Sequence, residues 1–151
     1  MLSLTTDLMG IESKIQNSHL LTDIFGRWPS FHDAEVLSIT LDRGEKNNFE
    51  PSLTAAIYVF EMTSQVDNEG RYVLRNHTLV RFRFYKIVNL SLTDFNQQNV
   101  LQHLDIEHLS DRERDKVKFK ITFSGIFGVK AEFHCDSVSI ESVEPHFGKQ
   151  G

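Results

Sequence analysis

Apolar and polar residues alternate with a period of two along most of this chain, which is the signature of β-strands. The clearest case is Lys116-Val-Lys-Phe-Lys-Ile-Thr-Phe-Ser124, where Val117, Phe119, Ile121 and Phe123 face one way and Lys116, Lys118, Lys120 and Thr122 the other. Gly125-Ile-Phe-Gly128 then reads as a turn, and Val129, Ala131, Phe133 and Cys135 resume the inward series, so the pair predicts a β-hairpin. Upstream, Glu35–Leu41 places Leu37, Ile39 and Leu41 on one face. Leu53–Glu61 places Leu53, Ala55, Ile57 and Val59 on one face and Tyr58 and Phe60 on the other, as a central or partly covered strand would. His77–Tyr85 alternates Val80, Phe82 and Phe84 against Arg81, Arg83 and Tyr85. Ile87–Leu92 either continues it after a bend or forms a short strand of its own, and Ser137–Val143 supplies a last strand.

The remaining segments read differently. Residues 1–17 have weak periodicity broken by Gly10, and predict an arm or a short helix. Ser18–Gly26 predicts a helix: Ser18 as N-cap, Leu20, Leu21, Ile24 and Phe25 at helical spacing, and Gly26 as a left-handed stop. Asp42–Asn48 reads as a polar loop, and Thr63–Tyr72 as a polar connection turning at Asn68-Glu-Gly70. Thr93 is placed to cap a short helical turn carrying Phe95. Residues 102–115 read as a charged, polar stretch anchored by Leu104, Ile106 and Leu109. The sum is a mostly β, β-rich α+β chain. It is one domain over residues 1–151, with six to eight strands in an antiparallel sheet, a sandwich or a partly open barrel, one N-terminal helix and a helical turn near residue 95.

Composition sharpens this picture. Twelve phenylalanines against three tyrosines and one tryptophan suit a β core that needs bulk without hydroxyls to satisfy. The formal net charge of -5 argues against nucleic acid, whose phosphates need a basic surface, and favours a basic protein partner. The single cysteine, Cys135, forms no internal disulfide and suits a reducing compartment. Residues 1–16 hold Asp7, Glu12 and Lys14 with no continuous apolar run, so no signal peptide is expected, and no stretch is long enough to span a membrane. A cytoplasmic protein is the expectation.

The candidate chemistry gathers at Trp28-Pro-Ser-Phe-His-Asp-Ala-Glu-Val36. Trp28 and Phe31 bracket the rigid Pro29, and His32, Asp33 and Glu35 follow at once. His32 with Asp33 or Glu35 is the one acid–base pairing on offer, because a carboxylate orients an imidazole. The plainer reading is a brace, in which the two aromatics plug the core and His32 and Asp33 satisfy turn amides. Contact with a partner is a third reading. A metal site is not expected, since neighbours on a strand point to opposite faces unless the strand starts after them, and His103, His108 and His134 lack zinc spacing. Cys135 reads as an inert, inward-facing thiol, and neither a nucleophile elbow nor a phosphate-binding glycine loop is present.

The run from Trp28 to Leu37, preceded by Leu21–Gly26, resembles the signature of the bacterial immunity protein 50 family. Val59-Phe-Glu61, the His77–Phe84 strand, Phe95-Asn-x-Gln-Asn99 and the Gly125 hairpin ending near Phe133–Cys135 extend the likeness over about residues 20 to 145. The resemblance implies a mostly β fold and a non-enzymatic antidote, encoded beside a polymorphic toxin and protecting its producer by binding the toxin domain. It implies no cofactor and no catalytic residues. On that reading the motif residues Trp28, Phe31, His32, Asp33 and Glu35 are possible partner contacts, and Glu45, Asp111, Glu113 and Asp115 a possible acidic contact surface for a basic toxin. The alternative is a small-ligand-binding or hydrolytic β domain with its pocket at Trp28, His32 and Asp33.

Overall fold

The structure, a computed structural model, describes residues 10–109 and 118–147. Eight strands form one open antiparallel sheet: β1 (Glu35–Asp42), β2 (Ser52–Val66), β3 (Tyr72–Tyr85), β4 (Val88–Thr93), β5 (Val100–His108), β6 (Phe119–Phe127), β7 (Lys130–Cys135) and β8 (Ser137–Pro145). Their order is β4-β7-β6-β5-β1-β2-β3-β8. The sheet consists of two four-stranded leaves joined at one seam. Between β1 and β5 the ladder holds a single residue pair, Glu35 with Val100. The leaves curl over one another, so Phe84 of β3 meets Phe133 of β7 edge-on at 5.2 Å and Phe123 of β6 at 6.2 Å. Seven of the twelve phenylalanines are buried in this core, as a sheet needing bulk without hydroxyls would arrange them.

Helix α1 (His19–Phe25) closes one end of the core with Leu21 and Phe25. Gly26, at φ 78, ends it in the left-handed conformation, its N–H bonding to the Thr22 carbonyl. Ser18 does not cap the helix through its side chain; it is itself helical, and its carbonyl accepts from Leu21 and Thr22. The arm before it contains a 3-10 turn (Ile11–Lys14) and then pairs with the sheet. Gln16 lies parallel to Ser139, donating to Val138 and accepting from Ile140 at 2.9 Å each, and so covers part of the outer edge of β8.

Several expectations shift by one residue, and bulges are the reason. In β1 the register slips between Val36 and Ser38, so Val36 and Ile39 face the core while Leu37 is pushed outward and exposed. In β5 it slips between Leu101 and His103, so Leu101, Leu104 and Ile106 share a face although their spacing is odd. Residues 102–108 are therefore strand rather than polar loop. Thr63–Val66 and Tyr72 are likewise the ends of a long β2–β3 hairpin, whose turn spans only residues 67–71. Gly125–Phe127 remain in β6 and pair with β5, and the β6–β7 turn is at Gly128-Val129. Ile87–Leu92 resolves as a separate strand, β4, paired to β7. Val117 and Lys116 lie outside the described residues.

No helical turn forms at Phe95. Residues 94–99 instead make a loop organised by Asn99, whose buried amide serves three segments. Its Oδ1 accepts from the N–H groups of Asn96 at 3.0 Å and Val129 at 3.1 Å. Its Nδ2 donates to the carbonyls of Asn96 at 2.8 Å and Val36 at 3.5 Å. Gly128 makes this possible: at φ 78 its backbone packs against the Gln98 carbonyl and Asn99 Oδ1, where a Cβ would not fit. Asn99 thus pins the β6–β7 turn to the bulge of β1, directly beside the seam.

Candidate functional site

The chain leaves α1 through Arg27 and enters the aromatic corner. Trp28 and Phe31 lie 5.8 Å apart, and both pack against Phe82 of β3, at 6.2 and 5.8 Å. Phe31 is buried and Trp28 half-buried. The turn is tied down by Ala34 N–H to the Phe31 carbonyl at 3.0 Å and Asp33 N–H to the Leu101 carbonyl at 2.8 Å. The strand begins only at Glu35, and Asp33 takes a left-handed φ of 72, so His32 and Asp33 are not held to opposite faces. Their side chains meet, with His32 Nδ1 3.2 Å from Asp33 Oδ2, both substantially solvated. Ser30 Oγ accepts from the His32 backbone N–H, not from its ring. Among the described residues no three His, Cys, Asp or Glu side chains gather to hold a metal ion.

Glu35 parts company with this pair. It stands on the outer face of the sheet, opposite Tyr58 on β2 and Val100 on β5. Burial, and then the Glu35 carboxylate, push the Tyr58 phenol above its ordinary value. The Tyr58 hydroxyl is 2.6 Å from His77 Nδ1, and its ring stacks near His77 and, at 4.8 Å, His146. This outer cluster was invisible to sequence reasoning apart from the alternation of Tyr58 with Phe60, because His146 joins it only through the sheet.

Two concavities flank His32. A cleft of about 200 Å³ is lined by Phe25, Arg27, His32, Asp33 and, from β2, Phe60, Glu61 and Met62. A shallower groove of about 490 Å³ runs between Trp28, Phe31, His32 and residues 102–106 of β5. Trp28 and Asp33 therefore line different hollows, with His32 on the ridge between. In the cleft, Glu61 is committed to Arg75 at 3.0 Å and to Asn76 at 2.8 Å, and these bonds hold its carboxyl below the usual carboxylate range. Glu45, in the β1–β2 loop, pairs with Arg43 at 3.3 Å. Asp111, Glu113 and Asp115 lie outside the described residues.

Cys135 faces the core, fully buried. Burial chiefly, helped by the Asp136 carboxylate and partly offset by a backbone hydrogen bond from Ser137, pushes its thiol up to about 12. Folded protein is expected to resist a thiol reagent near neutral pH and to react fully once denatured. Rapid labelling of the folded chain would show the thiol to be accessible.

A family model described as immunity protein 50 matches residues 17–146. The chain belongs to the immunity protein 50 family. The matched span takes in α1, the aromatic corner and the eight described strands of this immunity protein. Membership implies a toxin as the binding partner. No curated protein and no solved structure matches the chain. No helix among the described residues is long and apolar enough to cross a membrane.

Proposed function

We propose that this chain neutralises one cognate toxin domain in the cytoplasm by stoichiometric binding, without catalysis and without a cofactor. The observation that carries the reading is the family match over residues 17–146. The chemistry of the surface is compatible with it. Among the described residues the exposed His32–Asp33 pair has no hydroxyl or thiol nucleophile bonded to its ring, and the one thiol is buried and its ionisation pushed up to about 12. The net charge of -5 would steer the chain toward a basic toxin and speed encounter.

The test is co-expression with the toxin domain encoded beside this gene. Growth should be rescued, and the purified pair should titrate to an equimolar complex. Cells that die despite full expression of the folded chain, with no complex on titration, would remove the reading.

A further inference from the structure

The β2–β3 hairpin reaches beyond the sheet that supports it. β1 pairs with β2 only up to Tyr58, and β8 pairs with β3 only from Thr78 onward. From Val59 to Val66 and back from Tyr72 the two strands pair only with each other among the described residues, an overhang of about 20 Å at roughly 3.3 Å per residue along β3.

The two faces of this overhang differ sharply. On the core side Glu61 is bonded to Arg75 and Asn76, and Thr63 Oγ1 donates to the Val73 carbonyl at 2.7 Å. Around the turn Arg71 meets Glu69 at 2.6 Å and Asp67 at 3.5 Å. The charges there are answered within the hairpin. The outer face is apolar along its length. Spacings of two put Tyr58, Phe60 and Met62 on that face of β2; the register slips between Met62 and Val66, and it sets Leu74 beside Met62 and Tyr72 beside Val66. Met62 is 52% exposed, Val66 57%, Tyr72 58% and Leu74 37%.

A contiguous exposed stripe of aromatic, Met and Leu side chains is the composition of a protein interface core. It is also pre-organised. Tyr58 is fixed by its hydrogen bond to His77 and by the rings of Phe60 and His146, so little rotamer freedom remains to be lost on binding. At the base of the stripe, Glu35, Tyr58, Leu79 and Glu144 form one row across four strands. Neither Glu35 nor Glu144 has a cation within ion-pair distance among the described residues. Arg81 stands one row further along, beyond the stripe, and pairs with neither.

We propose that the outer face of the β2–β3 hairpin is the docking surface for the protein partner, and that the partner presents apolar side chains to Tyr58, Phe60, Met62 and Leu74 and lysine or arginine to Glu35 and Glu144. The proposal rests on the toxin-binding reading and names its surface. The near end of this surface borders the cleft that Phe60 and Met62 share with His32 and Asp33.

The test measures affinity for the toxin domain encoded beside the gene, using the full chain. Wild type is compared with Met62→Lys/Leu74→Lys, with Glu35→Lys/Glu144→Lys, and with Val88→Ser on the distant strand β4. All substituted side chains are at least partly solvated, and thermal unfolding checks that each variant folds. The double lysine variant in the stripe should weaken binding about 100-fold or more, as loss of an interface core does. The charge reversal should weaken it about 10-fold, mostly through a slower on-rate, and Val88→Ser should leave it unchanged. Binding by the stripe variant within about 3-fold of wild type, with wild type still protecting, would overturn this surface and leave the toxin-binding reading intact. Wild type that neither binds nor protects would remove both. A wild-type dimer that the stripe variant turns monomeric, with toxin affinity unchanged, would assign the face to a second copy and overturn the partner.

Discussion

Phe82→Ala is expected to cost the fold about 3–5 kcal/mol, a large part of the stability of an ordinary domain. The ring is fully buried and stands where two assemblies meet. On one side it receives Trp28 and Phe31 from the corner; on the other it stacks on Phe84, which carries the contact to Phe123 and Phe133 of the opposite leaf. Trp28 and Phe31 are held by a turn whose amides bond into the sheet, so they have little freedom to collapse into the void. Denaturant unfolding of wild type and variant measures the difference. A loss below about 1 kcal/mol would mean that the site relaxes and that the corner does not depend on this ring.

Asn99→Ala should be the second most damaging change, at about 3 kcal/mol. Two backbone donors, those of Asn96 and Val129, would lose their acceptor, at roughly 1–3 kcal/mol for each one left unpaired in a buried place. Val129 is itself fully buried, so water cannot easily replace the amide. The effect should also be local in a telling way. Amide exchange should accelerate at Val129, beside the seam between the leaves, before it does in β2 or β3. Uniform acceleration across the molecule, or none, would contradict the role given to Asn99.

What was legible in the sequence follows from where the pleat is regular. From Val80 to Phe84, from Phe119 to Phe123 and along β7 the alternation runs unbroken, and Val80, Phe82, Phe84, Ile121, Phe123, Ala131 and Phe133 face inward as the pattern indicates. Where a bulge inserts a residue, the period of two carries the wrong phase. That is why Leu37 reads as core but is exposed, and why Leu104 and Ile106 read as anchors of a polar stretch rather than as one strand face with Leu101. The hairpin overhang was missed for another reason. Its core-side residues, Thr63 and Gln65 among them, satisfy one another instead of packing, so the segment looks like a polar connection, and its apolar face looks like half of a covered strand.

The corner motif was found and its geometry was only half foreseen. That Trp28 and Phe31 would wedge against the core follows from their type and from Pro29. That Asp33 would turn left-handed and meet His32 depends on its amide bonding to Leu101, a residue far along the chain. Nothing in a one-dimensional reading links positions 33 and 101, or places His146 against Tyr58.

The short pairing of Gln16 with β8 has a practical bearing. Sheet margins recruit other sheet margins, and here the final strand is shielded partly by backbone that precedes the family span at residue 17. A polypeptide trimmed to that span would lose Ile15 from the core and bare the margin of β8. Clumping of such a trimmed chain would report a missing selvedge, and says nothing against its capacity to recognise a toxin.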